Sequence, residues 1–206
     1  MKPTPFGGWL AATRQRFRLP VLGEGATVPC GTCSACCRAS LFIHIRPDET
    51  QTLARIPRRL VFPAPGAPKG HVVMGYNERG ECPMWTGAAC AIYDHRPQTC
   101  RDFDCRVLAA TGLTDDDHAE IAAQAARWKF TYRGAADRSE HARVRAAAAF
   151  LRDHGDAFPA GRLPRHPAQL AALAIRVYDV IADRLAGEAR PSDTEIARAV
   201  LEALET

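Results

Sequence analysis

From residue 111 onward, apolar positions recur at helical spacing and the helix punctuation is clear. Leu170, Leu173, Ile175, Val177, Tyr178, Ile181 and Leu185 give one broad apolar face, opened by Pro164 and Pro167 and stopped at Gly187, which predicts a helix through about residue 186. Ser192-x-x-Glu195 is a capping-box pattern that starts a last helix carrying Ile196, Val200, Leu201 and Leu204. Earlier in this half, a helix is expected over 136–154, ending at Gly155. Thr114 ahead of Asp115-Asp116-Asp117 reads as an N-cap for an alanine-rich helix running to about Phe130.

The first half shows shorter, mixed periods. Leu41 to Ile45 predicts a strand, and Asp48-x-x-Gln51 a cap for a helix over 49–59. Residues 62–70, with three prolines and two glycines, read as loop. His71 to Tyr76 reads as a strand turned by Asn77-Glu78-Arg79-Gly80, Cys90 to Tyr93 as another short strand, and Pro97 as the start of a helix carrying Cys100 and Cys105. The expected fold class is α+β: a small, irregular, metal-stapled cysteine-cluster module with short strands and helices, followed by an alanine-rich helical region. The expected organisation is an N-terminal segment over 1–28, the cysteine module over 29–110 and the helical region over 111–206.

Composition sharpens this division. All eight cysteines, eleven of fifteen prolines and ten of fifteen glycines lie in residues 1–110. That half carries 14 basic and 8 acidic residues, the other half 13 and 15, so the overall charge of +4 is concentrated with the cysteines. Eight cysteines in 206 residues is about half the density of a disulfide scaffold. No apolar run reaches the length of a membrane span, and the first residues lack the apolar stretch of a signal peptide, so a cytosolic protein is expected, in which clustered thiols bind metal or do redox chemistry.

The cysteines fall as Cys30-x2-Cys33-x2-Cys36-Cys37 and then Cys82-x7-Cys90-x9-Cys100-x4-Cys105. Two-residue spacers let thiolates converge on one ion while the amides between them point at sulfur, as in zinc and iron–sulfur sites. One zinc or one [4Fe–4S] cluster takes four thiolates, so eight exceed either need. Adjacent Cys36 and Cys37 diverge in any regular backbone and are poor candidates for two corners of one mononuclear site. Two centres, a bridging thiolate, or cysteines outside the ligand set remain open. Zinc with four thiolates carries a charge of −2, which Arg38, Arg96, Arg101 and Arg106 could offset.

The run Cys30-x2-Cys33-x2-Cys36-Cys37-Arg38, Cys82-Pro83-Met84 and Cys90-Ala91-Ile92-Tyr93-Asp94-His95-Arg96-Pro97-Gln98-Thr99-Cys100-Arg101-Asp102-Phe103-Asp104-Cys105 resembles the bacterial CxxCxxCC cysteine-cluster family, a zinc- or iron-chelating domain. The resemblance spans about residues 29–106. It implies metal chelation through these cysteines and supporting roles for Tyr93, Arg96, Pro97 and Arg101. The same domain occurs in flagellin lysine N-methylases, which makes a protein lysine N-methylase-like enzyme one alternative. Against it, Gly23-Glu24-Gly25 follows only Val21-Leu22 and is not the glycine loop of a nucleoside site.

Zinc is the expected ion, because the Cys-x2-Cys unit sits in a loop-rich half that a metal could hold together. A [4Fe–4S] cluster is the alternative, because the Cys30, Cys33, Cys36 run opens like a ferredoxin motif, although Cys37 then follows too soon. The role is expected to be structural, metal handling or redox. No nucleophile–base pair is visible, so no enzyme is assigned. A zinc-module nucleic-acid binder is the other alternative, with Arg55-Ile56-Pro57-Arg58-Arg59 the only dense basic patch and no aromatic residues alternating with it. The expected partners are therefore a metal ion and an unidentified protein, with no membrane. His44, His71 and His95 are the histidines of the cysteine-bearing half, and His95, between cysteines, reads as a solvated turn residue rather than a ligand. His118, His141, His154 and His166 read as surface groups, and Trp85, Trp128 and Tyr178 as core or interface aromatics.

Overall fold

The computed structural model describes residues 2–18, 25–26, 28, 30, 32–187 and 191–205. Val21 to Glu24, named above beside Gly25, lie outside the described residues. In chain order the elements are β1 (Thr4–Pro5), α1 (Phe6–Arg18), β2 (Ile43–Ile45), α2 (Thr50–Leu53), β3 (Val61–Pro63) and β4 (Val72–Met74). They continue with α3 (Gln98–Asp102), α4 (Arg106–Thr111), α5 (Ala119–Ala126), β5 (Phe130–Thr131), α6 (Ala135–Asp153), α7 (Pro167–Leu185) and α8 (Asp193–Glu205). The fold is α+β. No helix among the described residues is long and apolar enough to cross a membrane.

Two compact units divide the chain. One comprises 1–22, 105–116 and 125–206, and the other 23–104 and 117–124. In the first, α6 and α7 form the central helix pair, and α1, α4 and α8 pack on α7. Small residues let the central pair approach: Ala147 and Ala148 of α6 and Ala171 and Ala174 of α7 are fully buried, together with Val144, Leu151, Ile175 and Ile181. The first helix ties in through Arg14, which donates to the Tyr178 hydroxyl (3.0 Å) and pairs with Asp179 (2.5 Å). Tyr178 in turn donates to Glu140 (2.5 Å). At the start of α1, β1 pairs in parallel with β5.

In the second unit, β4 lies between β2 and β3 in an antiparallel sheet, with Met74 opposite both Ile43 and Val61. One face of this sheet makes a small core of Ile43, Ile45, Ile56, Met74 and Ile92, and Cys82, Cys90 and Cys100 pack against its rim. Thr99 on α3 donates to the His44 carbonyl (2.7 Å), and Glu49 accepts from the Gln98 amide (2.6 Å), which fixes α3 to the β2 end of the core.

Several expectations are corrected. Residues 61–63 form a strand despite Pro63, because β3 is an edge strand and a proline there forfeits no central ladder bond. The helix expected over 49–59 closes at Leu53, with a 3₁₀ turn at Arg58–Leu60, since Pro57 cannot continue it. Cys90–Tyr93 is no strand: Cys90 makes only an isolated bridge to Trp85, and a 3₁₀ turn follows at Tyr93–His95. Cys100 and Cys105 do not share a helix, because the chain turns extended at Phe103 and Cys105 becomes the residue before α4. Thr114 caps nothing: α5 starts only at Ala119, and Asp115 is fully buried. His141 is buried rather than on the surface, stacked on Phe6 with 4.3 Å between ring centroids, and His166 caps α7 by accepting from the Ala168 amide (3.2 Å). His154 pairs with Asp193 at 2.9 Å. The first residues, expected only as a segment, contain a thirteen-residue helix, whose buried Phe6, Trp9 and Leu10 follow a 3–4 spacing in a glycine- and arginine-rich context.

Candidate metal centre

Three short pieces of chain carry four cysteines toward one another. The first is the 3₁₀ turn Ala35–Arg38, where Cys36 and Cys37 diverge as neighbours must: Cys36 is exposed and Cys37 half-buried. The turn is held to residues 80–82 by main-chain bonds, Cys82 donating to the Cys37 carbonyl (2.7 Å) and Ser40 to the Gly80 carbonyl (2.9 Å). Ser40 adopts a left-handed φ of 51° and Gly80 one of 75° to make this crossing.

The second piece is a tight hairpin-like knuckle, residues 82–91. Ala91 donates to the Met84 carbonyl (2.8 Å), Thr86 to that of Ala89 (3.0 Å), and Trp85 bridges Cys90. The Trp85 amide also donates to the Cys82 carbonyl (2.9 Å), which closes the turn after Cys82. The third piece is α3, which follows the fixed φ of Pro97 and presents Cys100 from its first turn.

Burial and neighbouring thiols raise three of these four cysteines. Burial, then the neighbouring Cys82, Cys90, Cys33 and Cys30, push the Cys37 thiol up to about 11. Cys100 is pushed up to about 12 by burial and then by Cys82, Cys37 and Cys90, with Arg96 opposing. Cys82 is raised by burial and by Cys90, with the nearby backbone of Met84 and Trp85 opposing. Cys37, Cys82 and Cys100, desolvated and each within electrostatic reach of Cys90, make with it a set of thiols whose chemistry suits a metal cation. Among the described residues no three cysteine sulfurs lie mutually within 4.8 Å. A zinc or iron ion held by these thiols would need their sulfurs to draw closer than they lie here. The donors fit zinc or iron.

The other sequence candidates divide between the surroundings of these thiols and the helical unit. Cys30 is exposed and Cys33 half-buried, and both are felt by Cys37. Cys105 belongs to the helical unit, is 6% exposed, and accepts a hydrogen bond from the Trp128 indole (3.1 Å). Arg106 of the same unit lies between Trp9 and Trp128. Arg96 stacks on exposed Tyr93 (4.1 Å) and its charge reaches Cys100. Arg38 pairs instead with Glu120 (3.8 Å), both partly exposed. Arg101 offers its carbonyl to Ala26 (2.7 Å), while its buried Nε has no hydrogen bond among the described residues. His95 contributes its carbonyl, to Thr52 (2.8 Å).

No curated protein and no solved structure matches the chain. One family model does, over residues 29–127, reaching beyond the last cysteine through α4 and α5. With these cysteines inside that span, residues 29–127 match the model of the CxxCxxCC family, described as a "putative zinc- or iron-chelating domain".

Proposed function

We propose that Cys37, Cys82, Cys90 and Cys100 bind one zinc ion, and that its role is to hold the cysteine-bearing unit together. The observation that carries this reading is that Cys37, Cys82 and Cys100 are desolvated and each lies within electrostatic reach of Cys90, with Cys82, Cys90 and Cys100 at the rim of a five-residue core. Strands of three residues and helices of four or five hold no stable fold by themselves. A bound zinc contributes about 10–16 kcal/mol to small modules. The charge of Arg96 would support the Cys100 thiolate. Cys30, Cys33 and Cys36 lie outside the four, and Cys105 is a packing thiol under Trp128. Thiol ligation suits a reducing compartment such as the cytosol. The second reading is an iron–sulfur centre that recruits Cys33 and Cys30, favoured by their influence on Cys37.

Anaerobic purification with metal analysis tests both. The expected result is one zinc per chain without a visible band. Serine at Cys37, Cys82, Cys90 or Cys100 should abolish stoichiometric metal, whereas serine at Cys36 or Cys105 retains it. Brown absorption near 400 nm with iron and sulfide selects the second reading, and full metal content in C100S removes the ligand assignment.

A further inference from the structure

We propose that the outer face of the β2–β4–β3 sheet is a stacking platform for single-stranded nucleic acid. Strand register places His44, Val73 and Phe62 side by side on the face opposite the core residues Ile43, Met74 and Val61. Phe42 and Tyr76 extend the same surface. Phe42 is 60% exposed, Tyr76 44% and Phe62 43%, three of the four most exposed large apolar side chains among the described residues. They cluster. Phe42 lies 6.1 Å from Phe62 at an interplanar angle of 85° and 5.2 Å from Tyr76 at 54°, so the rings splay and leave faces open rather than stacking on one another. Gly75 lies beneath Phe42 and Phe62 without a side chain to separate them. At the other end, His44 and His71 form a stacked, hydrogen-bonded pair (2.9 Å) that lengthens the ring surface.

Charge chooses the occupant. Between residues 41 and 81, Asp48 and Glu49 pair with Arg46, and Glu81 pairs with Arg79. Exposed Arg55, Arg58, Arg59 and Lys69 carry no ion pair among the described residues, opposed by Glu78 alone. Arg58 and Arg59 form the turn that feeds the strand of Phe62, and Lys69 lies in the loop that leads to His71. Open aromatic rings flanked by unpaired cations are the chemistry of base stacking with phosphate neutralisation, and every base offers a π-face whatever its sequence. Phe42, Phe62 and Tyr76 lie far apart in sequence, so the absence of aromatics alternating with the basic run did not bear on this surface.

Fluorescence anisotropy of the metal-loaded protein with labelled twelve-nucleotide poly(U) and poly(dT) tests the proposal. Binding is expected at 50 mM salt. F42A and F62A should each weaken it about five- to hundredfold, and R58Q/R59Q should reduce the slope of log affinity against log salt by about 1.4. Circular dichroism and metal content serve as folding controls; these side chains are exposed and should change neither. No binding at 50 mM salt, or binding indifferent to F42A and F62A, overturns the proposal. So does a dimer in sedimentation that F42A dissociates while oligonucleotide binding is unchanged, because the face is then a self-interface.

Discussion

Gly25 has no room for a side chain. A Cβ there would stand 2.5 Å from the Arg101 carbonyl oxygen and 2.6 Å from its carbonyl carbon, and main chain cannot rotate aside as a long side chain can. G25A should therefore destabilise the cysteine-bearing unit by about 1–3 kcal/mol, readable in a denaturant titration. At a second position, burial holds His141 below its ordinary value, helped by Arg145. The ring is neutral, bonding the Ala110 carbonyl (2.8 Å) through Nε2 and the Tyr132 hydroxyl (2.8 Å) through Nδ1. A neutral histidine in the fold that becomes protonated when unfolded lends stability above about pH 6.5, which is lost as pH falls through the depressed folded value. Thermal melts should show this slope between pH 6.5 and 5, and H141Q should flatten it.

At the scale of elements, the last helix is held at its start by a reciprocal cap. The Glu195 carboxylate accepts from the Ser192 amide (2.9 Å) and hydroxyl (2.7 Å), and the Glu195 amide faces the Ser192 oxygen (3.4 Å). S192A should cost about 1 kcal/mol, measured by thermal unfolding, and should leave metal content unchanged. This cap and the ends of α6 and α7 were legible from sequence because helix punctuation is local. The cysteine-bearing elements were not. Cys90 and Cys105 are assigned by contacts with Trp85 and Trp128, and the helix expected over both Cys100 and Cys105 fails because Phe103 leaves helical backbone. Strands of three residues carry too few alternations to declare themselves, and the prolines that read as loop are tolerated on an edge.

For the whole molecule, removing the metal should act on the cysteine-bearing unit. Treatment with a strong chelator is expected to abolish amide-exchange protection in β2, β4 and α3, whose small core abuts Cys82, Cys90 and Cys100. Amides of α6 and α7, whose buried alanines, valine, isoleucines and Tyr178 need no ion, should keep theirs. Protection in β2, β4 and α3 that survives complete chelation would contradict a structural metal.

The sequence by itself determined that this chain carries thiol chemistry: Cys-x2-Cys spacing, excess ligands and neighbouring arginines are properties of order along the chain. It likewise set the helices of the second half, since periodicity and caps act within a few residues. Tertiary structure decided which thiols are neighbours, because Cys37, Cys82 and Cys90 come within electrostatic reach of Cys100 only through the Cys82–Cys37 main-chain bond, the 82–91 knuckle and the docking of α3 on β2. It also decided that Cys105 packs under an indole and that Phe42, Phe62 and Tyr76 form one surface. Burial and convergence arise from contacts between residues distant in the chain, and those contacts leave no mark in local spacing.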